Sequence, residues 1–448
     1  MQNIDTLIHG RWVIPVTPGD PVLNHHSIAI HDGRIVEVLP TVEAKTRFNA
    51  QVENHYANHA LIPGLINAHT HAAMSLFRGM ADDLPLMDWL SSHIWPAETR
   101  WMSEEFVQDG SELAMAEMLR SGTTCFNDMY FFPDVTARIA RKVGIRACIG
   151  LIVLDFPTIW ASSADEYIDK ALQLRDQYRS DALIRTPFAP HAPYTVSDAP
   201  LEKLRVLSDE MDLPVHMHIH ETAHEVDAAI KQTGMRPLQR LANLGLVSPN
   251  LMAVHMTQLN DDDIALLAKT GAHVVHCPES NLKLASGYCP VQKLLDAGVN
   301  VALGTDGTAS NNDLNMIGEM NTAALIGKTV ANNASAVNAS QALRMATING
   351  ARALGLEAVT GSLEKNKFAD IVAIDFSALE MQPVYHPVSH LVYSASREQV
   401  SDVWVAGKHL LKERALTTLD EQKILLKVRN WQYKIADLKE TENANERK

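Results

Sequence analysis

His69-Thr70-His71 closes the apolar run Ala60-Leu61-Ile62-Pro63-Gly64-Leu65-Ile66-Asn67-Ala68. Side chains on an extended segment alternate with a period of two, so histidines at i and i+2 point the same way. Two imidazoles on one side of a strand end supply half of a divalent-metal site. Further donors stand where other apolar runs end. His191 lies in Ala189-Pro190-His191-Ala192-Pro193-Tyr194, and three histidines lie in His216-Met217-His218-Ile219-His220-Glu221. His255 ends a sixth run, and Asp306 follows an eighth in Gly304-Thr305-Asp306-Gly307. Three imidazoles and one carboxylate, with room for a water, suit Zn²⁺ or a neighbouring first-row ion in a catalytic site.

Alternation puts His216, His218 and His220 on one side, so parity alone does not separate them. His218 is favoured because Glu221 follows it by three, letting a ligand and an acid/base carboxylate face one water; His216 sits deeper and His220 further out. Each feature also has a plainer explanation. A lone His-x-His is often a packed pair, and an Asp in Gly-Thr-Asp-Gly is commonly a turn former. Coincidence at five run ends favours the metal site for the set. His224, His273 and His276 read as structural, His55 and His59 as surface or interface residues.

These groups need a scaffold that brings run ends together. Eight β-rich apolar runs, 61–66, 123–126, 147–154, 184–188, 215–218, 252–255, 273–276 and 299–303, alternate with longer amphipathic stretches. Strand-then-helix repeated eight times is the pattern of an α/β fold of the (β/α)8 (TIM) barrel type, whose catalytic groups sit at the C-terminal ends of the strands. Both ends of the chain are strand-rich. Ser27-Ile28-Ala29-Ile30 faces Arg34-Ile35-Val36-Glu37-Val38 across His31-Asp32-Gly33, a hairpin signal. Segments 369–375 and 402–407 echo it, and each end is too small to close a core alone. The expected organisation is residues 1–58 and 366–448 forming a small β-sandwich around a barrel at 59–365. A helix begins near Glu421, and the charged tail 440–448 is expected to fray.

Of the 448 residues 46% are hydrophobic and 21% charged, ordinary for a globular protein. A formal charge of −14 argues against a nucleic-acid or anionic-membrane partner, since both need a basic face. Cys125, Cys148, Cys277 and Cys289 show no Cys-x-x-Cys spacing and fit free thiols in a reducing compartment. Met1-Gln2-Asn3-Ile4-Asp5 carries no secretory pattern, and no apolar window is long enough to span a membrane. The expected location is the cytoplasm.

With these residues assembled, the chain resembles the amidohydrolase superfamily, within it the 5-methylthioadenosine/S-adenosylhomocysteine deaminases and their s-triazine-hydrolase relatives. The resemblance runs from about Thr6 to Ala415. It rests on Pro63-Gly64-Leu65-Ile66-Asn67-Ala68-His69-Thr70-His71, Leu76-Phe77-Arg78-Gly79, His276-Cys277-Pro278-Glu279-Ser280-Asn281 and Gly304-Thr305-Asp306-Gly307-Thr308-Ala309-Ser310-Asn311-Asn312. Ala346-Thr347-Ile348-Asn349-Gly350-Ala351-Arg352-Ala353-Leu354-Gly355 and Gly361-Ser362-Leu363-Glu364 also match.

The resemblance implies one metal ion, usually zinc, held by His69, His71, His218 and Asp306. Stretch 184–201 contains no lysine to bridge a second. It implies Glu221 as the proton carrier to the ring nitrogen, His255 orienting the attacking water and Asp306 taking its proton. His191 and Glu98 match nucleoside-contacting positions, Glu98 suiting the two ribose hydroxyls, and Trp89 and Ser310 fall at ligand-contacting positions. A dimer or tetramer is implied as well.

For the substrate, the absence of arginine between Arg146 and Arg175 and the segment Leu151-Ile152-Val153-Leu154-Asp155-Phe156-Pro157-Thr158-Ile159-Trp160 predict a hydrophobic wall containing an acid. That favours 5′-methylthioadenosine over S-adenosylhomocysteine, whose tail is charged, with adenosine as a further substrate. The rivals are a guanine- or s-triazine-type aminohydrolase or dechlorinase on the same site, and a catalytically silent binding barrel. Glu98 speaks against the former, because a bare ring gives a ribose-binding carboxylate nothing to hold. Retention of every ligand together with Glu221 and His255 speaks against the latter.

Overall fold

The computed structural model describes the backbone of residues 1–446 and the side chains of residues 1–436. Eight staves lie side by side in chain order. They are Leu65–Thr70, Thr123–Met129, Arg146–Val153, the pair Ile184–Arg185 and Phe188–Pro190, Val215–Ile219, Leu251–His255, His273–His276 and Val301–Leu303. Every neighbouring pair is parallel. Strands such as Arg146–Val153 are buried along their whole length, as expected of a parallel sheet covered by helices. The intervening helices begin on local signals: Asn260 and Asp263 form a reciprocal capping box at the start of Asp261–Thr270.

Two of the expected runs divide differently. Leu61-Ile62-Pro63 ends the long strand Phe48–Pro63 of the second sheet, and the first stave begins only at Leu65. The run is continuous in sequence because both strands are buried; the chain passes between sheets at Gly64, where a Cβ would lie 1.9 Å from the Thr124 hydroxyl. The fourth run breaks at Thr186-Pro187, where proline has no N–H to give the ladder.

The first and last staves meet at a seam. Asn67 accepts the Thr305 N–H at 3.0 Å and donates its amide to the Thr305 hydroxyl at 2.7 Å. The Asp306 N–H donates to the His69 carbonyl at 3.0 Å. A Cβ at Gly304 would sit 2.8 Å from the His69 nitrogen, so the approach admits no side chain.

The chain ends build one mixed eight-stranded sheet, the small sandwich domain, joined where Phe48–Pro63 runs antiparallel to Ile371–Asp375. The expected hairpin forms with His31 opposite Arg34, and Asp32 and Gly33 both take positive φ, as a two-residue turn requires. The helix Glu421–Glu446 packs on the barrel helix Glu104–Arg120 rather than on this sheet. Its Trp431 indole donates to Asp109 at 3.0 Å, and Lys427 reaches Asp109 and Glu112 at 2.8 and 2.7 Å. The tail 440–448, expected to fray, continues this helix as far as Glu446, and residues 447–448 lie outside the described residues. No helix among the described residues is long and apolar enough to cross a membrane.

A buried ion pair ties the sandwich to the barrel. Arg146, at the start of the third stave, donates to Asp370 at 3.0 and 3.3 Å and to the Ala182 carbonyl at 2.9 Å. Asp370 also accepts from the Thr360 hydroxyl and the Ala406 N–H. Removing one partner of such a pair leaves the other buried and unpaired. Arg146→Ala is expected to lower unfolding free energy by about 3–5 kcal/mol in urea titrations, a loss a surface ion pair would not produce.

Candidate active site

The staves deliver their C-terminal residues to one floor. His69 lies on the first stave, His71 just beyond it, His218 on the fifth, and Asp306 three residues beyond the eighth. The Nε2 atoms of His69 and His71 each stand 3.2 Å from Asp306 Oδ1, and His218 Nε2 stands 3.2 Å from His69 Nε2. One donor atom from each of the four falls within 4.8 Å of the others, so the group could hold a metal ion.

The opposite nitrogen of each ring is committed to the protein. His69 Nδ1 shares a hydrogen bond with His216 Nε2 at 2.9 Å, while His71 Nδ1 donates to the Met129 carbonyl at 2.6 Å and His218 Nδ1 to the His191 carbonyl at 2.8 Å. The two carbonyls keep a proton on Nδ1 of His71 and His218, and the three contacts together direct each Nε2 at the common point. Ser280 and Ser310 donate to Asp306 Oδ2 at 2.7 and 2.6 Å, which leaves Oδ1 for the cluster.

Electrostatics agree with a ligand set. Burial lowers His69 to about 4 and His218 well below the usual imidazole range, keeping both neutral. Burial also acts to lower His71, but its bond to Asp306 and that carboxylate's charge raise it to about 9. Burial would raise Asp306, yet the hydrogen bonds and charges of His69 and His71 hold it well below the usual carboxylate range. Neutral imidazoles beside an ionised carboxylate are the donors a divalent cation takes, and a proton on His71 would leave as one binds.

Beside the cluster stand Glu221 and His255. Burial raises the Glu221 carboxyl. Its main chain is fixed by Glu225, which accepts the N–H groups of His220 and Glu221 at 3.0 and 2.7 Å, and by Thr257, whose hydroxyl donates to the Glu221 carbonyl at 2.7 Å. His255, at φ 74°, donates Nδ1–H to Asn281 at 2.9 Å and turns Nε2 toward Glu221, 3.8 Å away. His191 holds Thr195 at 3.0 Å and packs its ring against His218.

A cavity of about 740 Å³ opens over this floor, within the range of small-molecule sites. Met74, Leu86, Trp89, Ile94 and Met102 line it, as do Ile152, Leu154, Phe156 and Ile159. Glu98 lines it and accepts from the Tyr130 hydroxyl at 2.8 Å; burial pushes its carboxyl up to about 7. Trp89 faces the cavity with its indole N–H on the Ala81 carbonyl, and Ser310 lines it with its hydroxyl on Asp306. No lysine or arginine is among the lining residues.

Two expectations are corrected. His220 does not share the direction of His216 and His218. It lies past the end of the stave at φ 53°, where its Nε2 accepts the Leu238 N–H at 3.1 Å and alternation no longer applies. Asp155 is not part of the hydrophobic wall: it caps the Ser197 N–H at 2.7 Å, away from the cavity. The sequence reading assigned no role to His216, Ser280, Asn281, Tyr130 or the carbonyls of Met129 and His191. Ser280 and Asn281 sat in a matched motif and His216 in the histidine run, whereas a carbonyl has no side-chain signal.

Residues 60–410 match the amidohydrolase family. The chain is 54% identical to the 5-methylthioadenosine/S-adenosylhomocysteine deaminase of Saccharophagus degradans, over 96% of this chain and 97% of that one. It is 53% identical to the protein of the same name from Teredinibacter turnerae, over 97% and 98%. Among solved structures, an adenosine deaminase from Xanthomonas campestris with bound zinc superposes with a TM-score of 0.96 at 53% identity, covering 97% of this chain and 99% of that one.

His216 meets the back of the His69 ring. His216→Leu is therefore expected to keep the fold and weaken zinc affinity by roughly 10- to 100-fold, measured by competition with a chromophoric chelator.

Proposed function

The chain belongs to the amidohydrolase family, and from that premise we propose that it hydrolytically deaminates the adenine ring of 5′-methylthioadenosine to 5′-methylthioinosine and ammonia. One observation carries the reading: Glu98 lines the same cavity as the histidine–aspartate cluster, a carboxylate matched to a vicinal diol and idle toward a bare aromatic ring.

A divalent ion, most simply Zn²⁺, held by His69, His71, His218 and Asp306 supplies Lewis acidity, bringing the pKa of a water from 15.7 toward about 7. The residues do the rest. Asp306 takes a proton from the attacking water as its oxygen bonds to C6 of the ring. Glu221, whose carboxyl burial raises, delivers a proton to N1. His255 Nε2 holds the incoming oxygen, and its Nδ1 bond to Asn281 fixes that direction. The proton on Asp306 passes to the exocyclic amine; as the C6–N bond breaks and ammonia leaves, the C6 hydroxyl proton returns to Glu221 and the C6 carbonyl forms, so one water is consumed. Glu98 accepts the ribose hydroxyls, with Tyr130 holding one of its oxygens. His191 and Trp89 border the nucleoside, and Ser310 steadies Asp306 from the cavity side.

The apolar wall sets the order of substrates. A methylthio group can bury against Ile152, Leu154, Phe156 and Ile159, whereas a homocysteine tail would bring a carboxylate to a cavity without a lining cation. S-adenosylhomocysteine and adenosine rank below methylthioadenosine on this reading. The same proposal has the chain working as a dimer or tetramer in the cytoplasm, a reducing setting that suits its buried free cysteines.

Parallel assays of ammonia release from methylthioadenosine, S-adenosylhomocysteine, adenosine, guanine and a chlorotriazine test the reading. Methylthioadenosine should give the highest kcat/KM, and preference for guanine or the triazine would overturn it. Glu221→Gln should retain zinc by elemental analysis yet lose about 10²- to 10⁴-fold in kcat. Because Glu98 binds the diol as a carboxylate and titrates near 7, kcat/KM should fall as pH drops below about 7, through a rise in KM. Glu98→Gln should raise KM at pH 8 and remove that limb of the profile.

A further inference from the structure

A second group of metal-ligating side chains lies on the sandwich sheet, away from the barrel. Glu53 and His55 are two apart on the strand Phe48–Pro63 and so share a face, and His9 stands directly opposite His55 on the parallel strand Gln2–Val13. His9 Nε2 and His55 Nε2 lie 3.5 and 3.6 Å from the same atom, Glu53 Oε2, and the two imidazoles stack with centroids 4.5 Å apart. One donor from each residue falls within 4.8 Å of the others. Two ligands held on a tetrahedral zinc at ordinary bond lengths are about 3.3 Å apart, close to the separations found.

The hydrogen bonding behind His9 gives the arrangement direction. The Ser27 hydroxyl donates to Thr41 at 2.9 Å, so it accepts from His9 Nδ1 at 2.7 Å. The proton of the neutral ring is therefore on Nδ1, and Nε2 presents a lone pair to a carboxylate oxygen. Two lone pairs facing one another repel, and a cation between them turns the contact attractive. Burial outweighs Glu53 and lowers the His9 pKa, which keeps that ring neutral. A hydrogen-bonded ligand ring backed by a hydroxyl is the arrangement that orients histidine in metal sites. Lys45 places one opposing positive charge nearby, which Glu53 offsets. His55 and Glu53 are substantially exposed, leaving room for water to complete the coordination.

We propose that His9, Glu53 and His55 form a second binding site for a first-row divalent cation of the zinc class, on the sandwich sheet and independent of the barrel cluster. Neither the deaminase reaction nor the barrel floor uses these residues. The bland alternative is an ion pair between Glu53 and a protonated histidine.

Elemental analysis after equilibration with low-micromolar free zinc separates the two. The intact protein should hold two zinc ions per chain. His55→Ala and, with less change of shape, Glu53→Gln should each hold one, with sandwich-site affinity weakened at least tenfold and turnover of methylthioadenosine unchanged. One ion per chain in the intact protein, or two in both variants, overturns the proposal. Turnover reports separately on the barrel, so failure here leaves the deaminase reading standing, and failure of that reading leaves the zinc count intact.

Discussion

The contact between the first and last staves is the constraint on which the site depends. Asn67 bridges to Thr305 through both its amide oxygen and its amide nitrogen, and the Asp306 N–H binds the His69 carbonyl. These bonds close the barrel and set its register at the same time. They bring His69 and Asp306, separated by most of the chain, to 3.2 Å. A slip of one residue at this seam would turn His69 away from the cluster, because side chains alternate along a strand. Gly304 is where the price of closeness shows: the two strands lie nearer than any side chain would permit.

Orientation then comes from the other staves. Each of the three imidazoles is held from behind by a partner elsewhere in the barrel: His216 on the fifth stave for His69, Met129 on the second for His71, and His191 just past the fourth for His218. Asp306 is held by Ser280, beyond the seventh, and by Ser310. Donor geometry is thus a property of the closed barrel and not of a local motif. The apolar core beneath the cavity wall reaches as far as Trp431, which packs with Phe106, Met102 and Trp89 in one buried cluster. The C-terminal helix therefore braces a wall that none of its described side chains lines.

Much of this was legible in the residues because strand ends announce themselves where an apolar run gives way to an ionisable group. His69, His71, His191, His218, His255 and Asp306 all follow that rule, and the floor they occupy is the one the eight runs predicted. Parity failed at His220, since alternation holds only while the strand continues and the chain there turns to positive φ. The run 61–66 was continuous in hydrophobicity but divided in space, because burial on either side of Gly64 looks the same in sequence. Asp155 was placed near the cavity by neighbourhood alone; one hydrogen bond to the Ser197 N–H takes it elsewhere. The carbonyls that fix His71 and His218 left no trace, since every residue carries one.

Three carboxyl groups in this site behave differently because their neighbours differ. Asp306 is ringed by two imidazoles and two hydroxyls and stays ionised despite full burial. Glu221 has its main chain pinned while its carboxyl faces His255 at 3.8 Å, too far for a strong hydrogen bond, so burial prevails and the carboxyl is raised. Glu98 meets one donor: burial raises it to about 7 against a hydrogen bond from Tyr130. One carboxyl held down and two raised within one cavity suit the proposed reaction, which must take one proton, give another and hold a diol. That separation follows from the donors each group meets, so the division of labour is set by packing rather than by residue type.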